Sequence, residues 1–92
     1  MKNILVLDSG VGAISIANEI RKLIKANLFI YIDNLHAPLG EKNEKELKHI
    51  ALNVVRENLE KYRIDLVVVA CNTLTVATIK YLREKFNIPF VG

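Results

Sequence analysis

The strongest constraint in this sequence is the alternation of two apolar patterns. Ile4 to Leu7, Leu28 to Ile32 and Leu66 to Ala70 are short continuous runs rich in β-branched residues, as parallel strands need when both faces of their sheet are covered. Between and after them the apolar residues take helical spacing: Ile16, Ile20, Leu23 and Ile24 in the first segment, Leu47, Ile50, Ala51, Val54, Val55 and Leu59 in the second, Val76, Ile79, Leu82 and Phe86 in the third. Each set is expected to face the core. The order is βαβαβα, with Ile88 to Val91 beginning a fourth strand. Such alternation predicts a three-layer, doubly wound α/β fold with a mostly parallel sheet and right-handed crossovers. Asn43, followed three positions on by Glu46, resembles a capping box ahead of a helix over Glu44 to Tyr62. Gly10, Gly12, Pro38 and Gly40 fall in the intervening loops. No helix follows the fourth strand before Gly92, so an open sheet face that favours association is expected.

Composition narrows the class. Ninety-two residues, 51% hydrophobic and 25% charged, hold one core and read as a single domain over 1–92, excluding a multidomain enzyme or a disordered tail. The net charge of +3 is spread among interleaved signs, which implies neither a nucleic-acid stripe nor a polybasic membrane anchor. The longest apolar run, Leu66 to Cys71, is far short of the ~20 residues that cross a bilayer. Asp8 interrupts the first apolar stretch too early for a secretory signal, so Met1 reads as the true beginning. Cys71 is the single cysteine and has no internal disulfide partner, which fits a cytoplasmic location.

In open parallel sheets ligands bind at the carboxyl ends of the strands. Here the strands are followed by Asp8, Ser9 and Gly10, by Asp33 and Asn34 ahead of a Pro38, Leu39, Gly40 turn, and by Cys71, Asn72 and Thr73. All would open onto one rim. Cys71 precedes a helix expected to begin near Thr73, where unpaired N–H groups and the helix dipole favour a thiolate able to act as base or nucleophile. The alternative is a small buried hydrophobe at a strand end. Asn72 and Thr73 suit either a ligand carboxylate at a helix N-terminus or plain capping of that helix. Asp8 and Ser9 suit an ammonium group or proton relay, or else an Asx turn that caps the first helix.

A second motif competes. Gly10, Gly12 and Ser15 approximate GxGxxG, and Asp33 stands where a ribose-binding acid would in a Rossmann-type nucleotide-binding half-domain. Ser15 replaces the third glycine, Asp8 would set a negative charge beside the pyrophosphate, and Cys71, Asn72 and Thr73 go unexplained. His36 and His49 lack metal-ligand spacing, and one cysteine makes no zinc site, so no metal is expected. Glu44, Lys45, Glu46 and Lys48 read as a solvated helix face.

Taken together, LDSGVGAISI at Leu7 to Ile16, APLGEKN at Ala37 to Asn43 and VVACNTLTVAT at Val68 to Thr78 resemble the amino-terminal part of bacterial glutamate racemase, within the aspartate/glutamate racemase superfamily. The LREKF segment and the final IPFVG resemble the family's continuation. The resemblance covers the whole chain but only about the opening third of a full racemase, so the fold is incomplete relative to the family and its second domain is absent. It implies a cofactor-independent isomerase that interconverts L- and D-glutamate for peptidoglycan, with two cysteines on opposite sides of the substrate. Cys71 matches the first of these. By the same correspondence Asp8 and Ser9 would meet the substrate's amino end, Asp8 would assist the thiol, Asn72 and Thr73 would hold the α-carboxylate, and Leu39 and Gly40 would offer backbone groups.

The sequence also departs from the family pattern. Ala13 replaces a glycine, Leu39 replaces a tyrosine, and Asn34, Leu35 and His36 stand where the family has a Thr-Ala-Arg type run. The family's second cysteine, in a GCTHYP-like segment, has no counterpart among the 92 residues. The chain is therefore expected to be an amino-terminal fragment or a truncated form with weak or no activity alone, either as a homo-oligomer or beside a second chain that supplies the missing half. The other classes left open are a noncatalytic module for a small anion or a protein, and the nucleotide-binding half-domain.

Overall fold

In the computed structural model, residues 1–8, 12–32, 43–70 and 72–92 are described, residues 72–77 by their backbone only. The elements run β1 (Lys2–Asp8), α1 (Gly12–Leu23), β2 (Ala26–Ile32), α2 (Glu44–Lys61), β3 (Leu66–Val69), α3 (Asn72–Lys85) and β4 (Phe90–Val91). All strand pairs are parallel and the sheet order is β2-β1-β3-β4. The expected α/β fold and its parallel sheet are thus observed. The fourth strand is shorter than the sequence suggests, opening at Phe90 after Pro89, whose carbonyl accepts from Val67 N at 3.0 Å.

β1 is central, and its inner residues Ile4, Leu5, Val6 and Leu7 are all buried, which is why the run is apolar without alternation. Register divides the sheet into two faces. Leu5, Leu7, Phe29, Tyr31, Val67, Val69 and Phe90 lie on one face, packed under α2 through Leu47, Ile50, Ala51, Val54 and Val55 and under α3 through Leu82. Ile4 and Val6 lie on the other face, beneath Ala13 of α1, with Leu28, Leu66 and Val68 partly buried beside them. Helices on both faces make the three layers.

The first helix corrects one expectation. Ala13 and Ala17 are its buried residues, Ile20 is partly buried, and Ile16, Leu23 and Ile24 are exposed, Leu23 by 82%. Small residues one turn apart bring α1 close to the sheet, and this close approach rotates the larger side chains to its flanks. In α2, five of the six expected core residues are buried and Leu59 is partly so. Asn58 is buried beside them and donates from Nδ2 to the Val54 carbonyl at 2.8 Å.

Local polar contacts set the ends of these elements. Asn43 Oδ1 accepts from Glu46 N at 2.8 Å and its Nδ2 donates to Glu46 Oε1 at 2.9 Å, so the expected N-cap is present, with the glutamate reaching the Asn43 side chain. At the amino ends of the strands Asn3 N donates to Asp65 Oδ2 and Asp65 N to the Asn3 carbonyl, both at 2.8 Å. Asn27 Nδ2 donates to Asn3 Oδ1 at 2.9 Å. This knot pins β1, β2 and the entry to β3 in one register. Arg83 reaches from α3 to the Phe90 carbonyl with Nε at 3.2 Å and Nη2 at 2.8 Å, tying the helix to β4.

Candidate active site

The chain adds β2 on one side of β1 and β3 on the other, so the β1/β3 pair is where the direction of winding reverses. At such a reversal the two following segments leave toward opposite faces and open a crevice at the carboxyl ends. Leu7 pairs with Val69, and Ala70 N still donates to the Leu7 carbonyl at 2.8 Å beyond the last paired residue. The ladder therefore holds the end of β1, at Asp8, beside the start of the connection from β3 to α3.

Asp8 is the last residue of β1 and is partly buried. Ile4, Val6 and Asp8 share a face because side chains alternate along a strand, so its carboxylate points to the α1 side. It lies against the first turn of α1: a Cβ built on Gly12 would stand 2.6 Å from Asp8 Oδ2. A negative charge there is favoured by the N-terminal end of the helix dipole. The placement serves a helix cap and a rim carboxylate equally well. It works against a nucleotide pyrophosphate at the same turn, since a negatively charged carboxylate already lies along that approach.

Asn72 and Thr73 are the first two residues of α3, one position earlier than the expected start, and are described by backbone. Their amides belong to the first turn, whose N–H groups have no partner within the helix. Cys71, Ser9, Leu39 and Gly40 lie outside the described residues, as do Asp33 and His36. Of the expected site residues, Asp8, Asn72 and Thr73 are therefore the ones the structure brings to the rim. His49 is exposed on α2, with its Nε2 3.2 Å from Asn53 Nδ2. Sequence reasoning offered Gly12 only as part of a glycine-rich turn; its four-residue spacing from Asp8 was the available signal for their contact.

A concavity of about 710 Å³ lies elsewhere, along α2 and α3, lined by Glu44, Lys48, His49, Leu52 and Tyr81 among others. Lys48 Nζ is 3.2 Å from Glu44 Oε1 and 5.5 Å from the Tyr81 ring centre, and Lys85 Nζ is equally far from that ring. The expected solvated face thus also sets the Lys48 ammonium over an aromatic ring. No helix among the described residues is long and apolar enough to cross a membrane.

Comparison with known proteins agrees with this fold. No family profile matches the chain. It is 42% identical over 90 residues to glutamate racemase from Klebsiella pneumoniae (strain 342) and 44% identical over 90 residues to that from Escherichia fergusonii, covering 97% of this chain and 32% of each relative. Its fold superposes on Escherichia coli glutamate racemase in complex with L-glutamate and the activator UDP-MurNAc-ala, with a TM-score of 0.94 and 40% identity over 99% of this chain and 35% of that one. Glutamate racemase isoform RacE1 from Bacillus anthracis gives a TM-score of 0.88 and 38% identity over 99% of this chain and 34% of that one. The chain spans about a third of the length of the curated relatives it matches. In sequence and in fold, these 92 residues are homologous to an amino-terminal part of the glutamate racemases.

Proposed function

We propose that the chain forms one wall of a cofactor-independent glutamate racemase site, with Cys71 as the base on one face of the substrate. The observation that carries this is the switch point. The parallel ladder sets Asp8 beside the connection in which Cys71 stands and from which α3 begins at Asn72, within a fold shared with glutamate racemases. A thiolate at a helix start removes the α-proton of glutamate and becomes a thiol. The electron pair left on the α-carbon delocalises into the α-carboxylate, which Asn72 and Thr73 hold by hydrogen bonds at the N-terminus of α3. Asp8 and Ser9 take the ammonium end, and Leu39 and Gly40 supply backbone groups to a carboxylate. Return of a proton from the opposite side completes inversion and requires a second thiol. Cys71 is the one cysteine of these 92 residues, so that thiol lies outside them, and a single domain over 1–92 is one half of the working site. In this role the protein works in the cytoplasm, supplying D-glutamate for peptidoglycan.

A positioned acid or base contributes ~10² to 10⁴ in rate, so one wall should racemise poorly yet still exchange a proton on its own side. Incubating the chain with each glutamate enantiomer in D₂O and following the α-proton by NMR tests this. Exchange of one enantiomer without inversion, lost in Cys71→Ser, is expected. Absence of exchange by the folded chain, or exchange indifferent to Cys71→Ser, would remove the catalytic assignment.

One observation favours a noncatalytic binding module: exposed apolar residues, Ile30 on β2 and Val91 on β4, remain on the α1 face of the sheet. It predicts a stable oligomer or complex that binds glutamate without exchange. A monomer at high concentration in sedimentation would count against it.

A further inference from the structure

We infer that Gly12 is a positioning residue for Asp8: the absence of a side chain at the first position of α1 leaves the space that the Asp8 carboxylate fills. The role given to Asp8 rests on the racemase reading above, whereas the contact between the two residues does not.

Glycine is not needed here for its conformational range. Gly12 is helical, with no left-handed backbone angle that would exclude other residues. Nor is it needed for helix packing, because Gly12 is exposed and the close approach to the sheet is made by Ala13 and Ala17. What a methyl group would meet, among the described residues, is Asp8: Oδ2 at 2.6 Å and Cγ at 3.8 Å. Real contacts of this kind do not fall below 3.0 Å, so one group must shift. The carboxylate is the end of a flexible side chain and moves at small cost, whereas the helix backbone does not.

Opposite effects on stability and on the site follow. Alanine is a better helix former than glycine, so Gly12→Ala should leave the fold as stable or make it more so. The same methyl pushes the Asp8 carboxylate by most of an ångström before it reaches ordinary contact at 3.4 Å. Displacement of that size at a reacting site costs about 10²-fold in rate. A glycine kept for structural reasons would show the reverse: lower stability and an unmoved carboxylate.

The chain has three aspartates, Asp8, Asp33 and Asp65, so the side-chain carboxyl signals of ¹³C-labelled protein can be assigned with Asp8→Asn. In Gly12→Ala the Asp8 signal should move while the Asp65 signal stays, the melting temperature should hold or rise, and α-proton exchange with glutamate should fall about 10²-fold. In an Asp8→Ala background, Gly12→Ala should cause no further loss of exchange. An unmoved Asp8 signal, wild-type exchange in Gly12→Ala, or an equal additional loss without Asp8 would overturn the proposal. Should Gly12→Ala melt below the wild type, the double variant decides: recovery of the melting temperature supports the contact, and no recovery refutes it. If the unmodified chain shows no exchange at all, the racemase reading fails, while the Asp8 signal and the melting temperatures still judge Gly12.

Discussion

The two faces of the sheet are built from similar apolar residues and are covered differently. On one, α2 and α3 lie side by side over all four strands, and Leu5, Leu7, Val55, Val67, Val69, Leu82 and Phe90 are buried. On the other, among the described residues, α1 packs over β1 and β2 through Ala13 and Ala17, while Leu66 and Val68 are partly buried, Ile30 is 41% exposed and Val91 50%. Strand propensity and hydrophobic content are therefore no guide to how much each face stabilises the fold. The difference lies in which helix the winding sends to which side.

The largest effect should come from the doubly covered face. Leu82→Ala removes a fully buried side chain under α3 and should cost about 2–5 kcal/mol in urea unfolding, a large part of the roughly 5–14 kcal/mol available to a domain of this length. Ile4→Ala, beneath α1, should cost about as much, because Ile4 is also fully buried. A cost below about 1 kcal/mol would mean that α1 packs loosely. Next, Ala17→Leu should destabilise by about 1–3 kcal/mol, since no space remains between α1 and β1 for a larger side chain. A neutral result would show that α1 can slide outward.

Smaller changes test the edges of the contrast. Asn43→Ala removes the cap of the helix that covers the first face and should cost about 1 kcal/mol in the same assay. Val91→Thr, on the open part of the second face, should shift stability by no more than about 0.5 kcal/mol while raising solubility. If it instead cost as much as Leu82→Ala, that face would be covered in solution, and sedimentation of wild type and variant would show by what.

The elements were legible because each has a local cause. β1 and β3 announced themselves by unbroken apolar runs, and α2 by its five buried apolar positions and the Asn43–Glu46 pair. The inward face of α1 was not legible. Ile16, Leu23 and Ile24 outweigh Ala13 and Ala17 in hydrophobicity, yet closeness to the sheet is decided by size, and the alanines win. The buried Thr78 and Asn58 were missed for a related reason: their polar groups are partnered inside the fold, and a pattern of apolar spacing carries no record of such partners. At the rim, Asp8, Asn72 and Thr73 could be read from their positions after strands, whereas the contact of Asp8 with Gly12 left no signal beyond their four-residue spacing.

By itself the sequence determined the alternation of strands and helices, the placing of polar residues at strand ends and the kinship with glutamate racemases, because propensity, periodicity and motif spacing are local properties of the chain. Only the tertiary structure decided that β1 and β3 are neighbours, that among the described residues one sheet face is covered by two helices and the other by one, and that the Asp8 carboxylate fills the space left by Gly12. Those are matters of three-dimensional exclusion: which helix fits on which side of a wound sheet, and which atom already occupies a given few ångströms.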